Sequence, residues 1–326
     1  MSPRIALVLG AGGVLGSAWM VGALAALQER LDRPLGEVDL VLGTSAGAVL
    51  GAALRCGVSV EELIDHQSGR PVDRLPAMRT LERESGDGLP PVPLPWVGSP
   101  RLLLHAALRP FRINPVVAAS ALLPVGRAHM GSLVRLVDAL QGRLGVTEDG
   151  WVPGAPLWVV AVDYDTGRRT VFGRAGGPPS SVAEAVLASC AIPGWFTPRI
   201  VHGHRYVDGG VASSTSVGLL ARESAPPLDE VYVLAPLASH AYDLPLGPLS
   251  AAERAVRRLI THWLDGEVAR VRAAGPRVTV LTPGPADLRA MGGNLMNPRR
   301  RLAVLERSLE TSSVAVRAAL EGRAAA

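Results

Sequence analysis

Lysine is absent from this chain of 326 residues, so all of its basic side chains other than histidine are arginines. Aromatic residues make up only 4%, and cysteine occurs twice, at Cys56 and Cys190. Each shortage excludes something. Two cysteines cannot build a disulfide framework or a cysteine-based zinc site, and free thiols in a reducing cytoplasm are expected. Scarce aromatics, with no basic block interleaving them, give no sign of a nucleic-acid surface. Charged residues are 19% and hydrophobic residues 48%, which fits a globular enzyme and excludes a disordered chain. The formal net charge is +4, and an all-arginine surface leans towards anionic partners such as phospholipid headgroups.

A chain of this length can bury roughly 75% of its unfolded surface. It has no Ser/Gly linker and no internal repeat, so a single domain over residues 1–326 is expected. From Ile5 to Gln28 no residue is charged, the length of a membrane span or signal peptide. Gly10, Gly12, Gly13, Gly16 and Gly22 argue against a continuous apolar helix there. A buried strand, "RIALVLG", a glycine loop and then a buried helix are expected instead. A cytoplasmic protein without a cleavable signal or transmembrane helix follows, with peripheral contact to an anionic membrane surface possible.

"VDLVLG" reads as a second buried strand and "AGAVLGAALRCG" as the helix behind it. Two strand–helix units within 60 residues imply a mostly parallel sheet between helical layers, an α/β three-layer sandwich. "SVEELIDHQ" carries a capping box, with Ser59 as N-cap and Glu62 three residues later. Residues 69–126 break the pattern with "GLPPVPLPWVGSP" and "RLLLHAALRPFRI", too long for a simple connection. A proline-rich cap is expected there, with Leu102, Leu103, Leu104 and Phe111 partly lining a route to the site. Further on, "LVRLVDALQGRL" reads as a helix and "LWVVAVDYDTG" as a buried strand, with "RRTVFG" its hairpin partner. "SVAEAVLASCAIPGWFTP" reads as a helix broken at Pro193-Gly194, and "HGHRYVDGG" as a strand ending at Asp208. "EVYVLAPL" and "RVTVLTPG" are two more strands around a helix from Ala251 to Ala273. A last helix spans about Pro298–Leu320.

Chemistry concentrates at "GTSAGA", where Ser45 lies between Gly43 and Gly47 after a strand and before a helix. That context suits an exposed nucleophile on a sharp turn. Acyl transfer also needs oxyanion donors, and "GAGGVLG", Gly10 to Gly16, offers backbone amides at the end of the adjacent strand. The rival dinucleotide reading needs a third glycine where Leu15 stands. Seven histidines are available as base. His240 or His262 with Asp208 would satisfy a Ser–Asp–His order, but neither follows a strand in a turn. His202 and His204 alternate on the "HGHRYVDGG" strand. Asp208, held by the turn at Gly209, is a carboxylate that could itself serve as general base.

"GAGGVLG", "GTSAGA", "AIPGWFTP" and "VDGG" occur in the order and approximate spacing of the patatin-like phospholipases, which this chain resembles over Gly10–Gly210. "VDYDTG" also resembles a turn of that family. The resemblance implies a serine acyl hydrolase with a Ser–Asp dyad and no histidine. Ser45 would be the nucleophile, Asp208 its base, and Gly12 and Gly13 the oxyanion donors. Gly10, Gly16, Gly43, Gly47 and Gly209 would support those turns. A lipid or acyl-ester substrate is implied, with no metal or organic cofactor. The chain departs from the family at Leu15, where a Lys or Arg is common, and at Ala11, where a glycine is. An aliphatic Leu15 is expected to point inward. Acyltransferase or thioesterase action on the same dyad is the alternative, and a non-catalytic nucleotide-binding regulator a more distant one.

Overall fold

The computed structural model describes residues 2–324, except 32, 79, 82–90, 110–111, 145–146, 148–149, 223–224 and 242–247. Its strands are β1 (Ile5–Leu9), β2 (Leu40–Thr44), β3 (Leu157–Asp163), β4 (Arg169–Phe172), β5 (Arg199–Val201), β6 (His204–Asp208), β7 (Glu230–Leu234) and β8 (Arg277–Leu281). The α-helices are α1 (Gly13–Gln28), α2 (Ala46–Arg55), α3 (Val60–Gln67), α4 (Pro100–Leu108), α5 (Pro115–Ser120) and α6 (Gly131–Leu144). They continue with α7 (Val182–Ser189), α8 (Pro248–Ala273), α9 (Pro285–Met291) and α10 (Arg301–Ala324). No helix among the described residues is long and apolar enough to cross a membrane.

Strands β8, β7, β1, β2 and β3 pair in that order and run parallel. Parallel strands are covered on both faces, which is why "IALVL" and the start of "LVLGT" are apolar throughout and not alternating. Successive side chains still part to opposite faces. Ile5, Leu7 and Leu9 face a core built with Leu15, Leu24 and Leu27 of α1, Leu50 of α2 and Val304 of α10. Ala6, Val8, Leu40 and Leu42 face a second core with Leu264 and Val268 of α8. The result is an α/β sandwich of three layers. Arg55 locks the strand entries together. Nearly buried, it donates to the carbonyls of Gly36, Val38 and Pro156. Burial brings its pKa down to about 10, which leaves it charged at neutral pH.

The expected hairpin partner is present, β4 pairing antiparallel with β3. So is the capping box, with Ser59 Oγ accepting from Glu62 N–H and Glu62 accepting from Ser59 N–H. Three local expectations need correction. The helix through "VAEAVLAS" ends at Ser189, before Pro193, because Cys190 already leaves the helical conformation. The "HGHRY" stretch is not one strand. Arg199–Val201 and His204–Asp208 form an antiparallel hairpin, and His202 occupies its turn at φ 45°, so it shares no strand face with His204. In the 69–126 segment, Leu102 does not line a route to the site. It is fully buried against Val162, Tyr164 and Val207, while Leu104 is exposed and Phe111 lies outside the described residues.

Candidate active site

Ser45 and Asp208 are 163 residues apart in the chain, and one strand brings them together. Along β3, β2 pairs as far as Thr44 opposite Val160, and β6 begins with Asp208 opposite Ala161. β4 also pairs with Val159 to Val162, and a strand has only two edges. β2 and β6 must therefore share the other edge, arriving from opposite directions and ending head to head. The residue that leaves β2 and the residue that ends β6 meet at that junction. The Ser45 side chain acts there to lower the Asp208 pKa, and each residue is 5% exposed.

The turn at Ser45 is strained. Its φ of 54° is unfavourable for a residue with a Cβ, and α2 starts at the next residue. Helix and strand fit this closely only because position 47 is glycine, where a Cβ would lie 2.0 Å from the Leu9 carbonyl oxygen. The Ser45 amide donates to Ser189 Oγ at 2.8 Å, and Ser189 donates in turn to Val160 O at 2.6 Å. Ser189 thus ties the Ser45 turn to β3 at the head-to-head junction. Nothing distinguishes it in the sequence, since a serine among the alanines of a buried helix carries no pattern.

The glycine loop joins β1 to α1 beside this turn, because β1 and β2 are parallel neighbours. The Gly10 amide donates to Leu234 O, Ala11 to Ser214 O and Leu15 to Leu295 O. Those of Gly12, Gly13 and Val14 meet no acceptor among the described residues. Gly13 adopts φ 59°, which lets the loop turn into the first helical residue. Unpaired amides at a helix N-terminus suit a developing negative charge. With the Gly10, Ala11 and Leu15 amides already given to carbonyls, the loop offers a short donor set that fits an oxyanion better than a pyrophosphate. Leu15 points inward, as expected, and is fully buried.

Burial raises the Asp208 carboxyl to about pKa 6, against the opposing influence of the Ser45 side chain and of the hydrogen bond from Gly210 N–H at 2.7 Å. Such a group is ionised at neutral pH yet basic enough to take a proton. Burial, reinforced by the Asp208 charge, pushes the neighbouring Cys190 thiol well up, so it stays protonated. Both cysteines are free.

No histidine among the described residues bonds to Ser45 or Asp208. His240 Nε2 meets Asp265 Oδ1 at 3.0 Å, and His262 is exposed on α8. His204 Nδ1 lies 3.6 Å from Asp163, and His105 Nδ1 contacts the Asp165 carbonyl at 2.8 Å. No cluster of three metal-ligating side chains occurs among the described residues.

The last third of the chain, which carries no motif, also reaches the site. Glu267 of α8 is buried and accepts from Ser213 Oγ at 2.9 Å, from Gly218 N–H at 3.3 Å and from Arg169 at 3.2 Å. It holds the loop whose Ser214 carbonyl accepts the Ala11 amide, between the Asp208 turn and the glycine loop. Leu295 and Met296 lie against Gly13.

A family model described as Patatin-like phospholipase matches residues 7–221. An uncharacterised NTE family protein of Mycobacterium tuberculosis is 28% identical over 224 residues, covering 69% of this chain and 47% of that protein. The omega-hydroxyceramide transacylase of Mus musculus is 26% identical over 201 residues, covering 60% of this chain and 26% of that protein. The chain therefore spans about half the length of the mycobacterial relative and less of the murine one. Among solved structures, VipD of Legionella pneumophila is 16% identical, with a TM-score of 0.46 over 96% of this chain and 66% of that one. With the family model matched across well over half of its length, this chain belongs to the patatin-like phospholipase family.

Proposed function

We propose that the protein hydrolyses carboxylic ester bonds of lipids through an acyl-Ser45 intermediate. The observation that carries this reading is the meeting of buried Ser45, on its strained turn, and buried Asp208 where β2 and β6 end head to head, with no histidine bonded to either among the described residues. In the first step Asp208 takes the Ser45 hydroxyl proton as Oγ attacks the ester carbonyl carbon. The tetrahedral oxyanion accepts hydrogen bonds from the amides of Gly12 and Gly13. Collapse breaks the bond to the alcohol oxygen, and Asp208 returns the proton to the leaving alcohol. Water then repeats the sequence on the acyl-enzyme and releases the fatty acid. These steps need a nucleophile, a base and two amides, all supplied by this chain.

Transfer of the acyl group to an alcohol acceptor is the second reading, favoured by the named activity of the murine relative. One experiment addresses both. The protein is incubated with p-nitrophenyl esters and defined phospholipids, with and without a lipid alcohol, and the acyl products are identified. Free fatty acid as the main product supports hydrolysis. Acyl groups recovered on the added alcohol support transfer, and no turnover or labelling of Ser45 by a serine-reactive phosphonate would overturn both.

A further inference from the structure

Five of the seven most exposed large apolar side chains among the described residues fall in one segment. Val92 is 81% exposed, Trp96 70%, Leu104 59%, Leu108 70% and Leu122 62%. Backbone pairing makes these neighbours. Leu94 N–H donates to Val125 O, Val125 N–H to Trp96 O and Gly98 N–H to Leu123 O, so the extended stretch through Trp96 lies beside Leu122 and Leu123. Helix α4 follows directly, its N-cap Ser99 donating N–H to Ala121 O and its Leu102 packing with Ala121. Leu102 is buried beneath it, and residues two apart sit about 200° around a helix from each other, which turns Leu104 outward with Leu108 one turn on. Isolated exposed leucines need no explanation, but a contiguous group with a tryptophan marks an interaction surface.

Its charge is equally one-sided. Between residues 88 and 137 there is no aspartate or glutamate, and there are five arginines, Arg101, Arg109, Arg112, Arg127 and Arg135. This stretch carries more positive charge than the whole chain's net +4. Arg101, Arg109, Arg112 and Arg127 are exposed, Arg101 by 79% of its side chain even with Asp165 3.7 Å away. The segment also adjoins the site. Asn114 Nδ2 donates to Ala212 O just beyond the Asp208 turn, and Leu123 packs on Gly194, near Cys190.

We infer that the face formed by Trp96, Leu104, Leu108 and Leu122, with Arg101, Arg109 and Arg112, docks the protein on an anionic lipid bilayer. The apolar side chains enter the headgroup boundary, the arginines meet lipid phosphates, and Ser45 comes close to ester-bearing lipid. The inference rests on the lipid-ester reading of the site and adds where the lipid surface lies. A protein partner would be expected to bring acidic residues to match the arginines. A bilayer of anionic lipid supplies the apolar layer and the negative charge together.

The test uses full-length Ser45→Ala protein, which does not consume the lipid, co-sedimented with phosphatidylglycerol/phosphatidylcholine vesicles and with pure phosphatidylcholine vesicles. Binding is expected to favour the anionic vesicles and to weaken with salt. Trp96→Ser with Leu108→Ser, or Arg101→Gln with Arg109→Gln and Arg112→Gln, should each lower it, the arginine set by about fivefold per residue at low salt. The same substitutions in the Ser45 protein should leave hydrolysis of a soluble p-nitrophenyl ester unchanged, which also shows that the variants fold. Should they not fold, quenching of Trp96 fluorescence by brominated lipid decides the matter. Quenching that disappears in Trp96→Phe supports the inference, and none overturns it. Anionic-vesicle binding unaltered by either set of substitutions overturns docking while leaving ester hydrolysis intact. Patch-dependent vesicle binding without hydrolysis of any ester upholds docking and removes the enzymatic reading. A dimer that the substitutions dissociate, with vesicle binding unchanged, assigns the face to a second copy of the chain and overturns the inference.

Discussion

Asp208 is held in the folded protein with a pKa of about 6, well above its value in an unfolded chain. If Asp208 is the base, as proposed, only its carboxylate can act, so kcat/KM for a soluble ester should rise with pH through about 6 and then level off, read directly from a pH–rate profile. The same burial costs stability. Because the folded state binds this proton more tightly, the contribution of Asp208 to stability is most favourable below about pH 4 and declines as pH rises through 6. Asp208→Asn should therefore be more stable than the native protein by about 1–3 kcal/mol at pH 8, with the gain fading near pH 4. Thermal unfolding across that range checks it, and turnover should meanwhile drop by about 10²–10⁴-fold. At Leu15, an arginine would lose about 1.5–3 kcal/mol of side-chain burial and add a charge to the core. Leu15→Arg should lower the unfolding midpoint without raising phospholipid turnover. Faster phospholipid hydrolysis in a well-folded variant would contradict the inward orientation. Ser45 and Asp208 were legible in the sequence because glycine-flanked turns after apolar strands are themselves the signal. Ser189 and Glu267 were not, since what they do is set by partners 144 and 54 residues away.

Among the elements, α8 contributes most that its sequence does not announce. Its amphipathic pattern reveals a helix packed on a sheet but not that Glu267 grips the loop joining the Asp208 turn to the glycine loop. Glu267→Gln keeps the shape and loses the charge opposite Arg169. Loss of a charged hydrogen bond is typically about 1.5–3 kcal/mol. If the clamp positions the site, kcat should fall about tenfold with KM within about twofold, measured on a soluble ester. A variant that is less stable but unchanged in kcat would make Glu267 a purely structural support. The β5–β6 hairpin was hidden for a related reason. His202-Gly203 is a weak turn signal inside a stretch whose residues alternate as one strand, and only the pairing to β3 resolves it. The buried parallel strands were readable because each is a short apolar run closed by a turn.

For the molecule as a whole, the family match ends at residue 221, yet the sheet does not. β7 pairs with β1 along its full length, Leu234 O accepts the Gly10 amide, and α10 packs along α1 through Ser308 and Trp19 O. A chain ended after residue 221 would expose one edge of β1 and the apolar face of α1. It should fail to give a cooperative unfolding transition by circular dichroism, whereas a folded, active fragment would show that the last third is dispensable. The dyad itself can be measured most directly by following phosphonate labelling of Ser45 against pH, with the modified peptide identified by mass spectrometry. The account expects labelling at Ser45 with an apparent pKa near 6, abolished in Ser45→Ala and lost by orders of magnitude in Asp208→Asn. His240→Ala and His262→Ala should label as the native protein does. If either histidine variant falls as far as Asp208→Asn, a histidine is the base and the two-residue account is wrong.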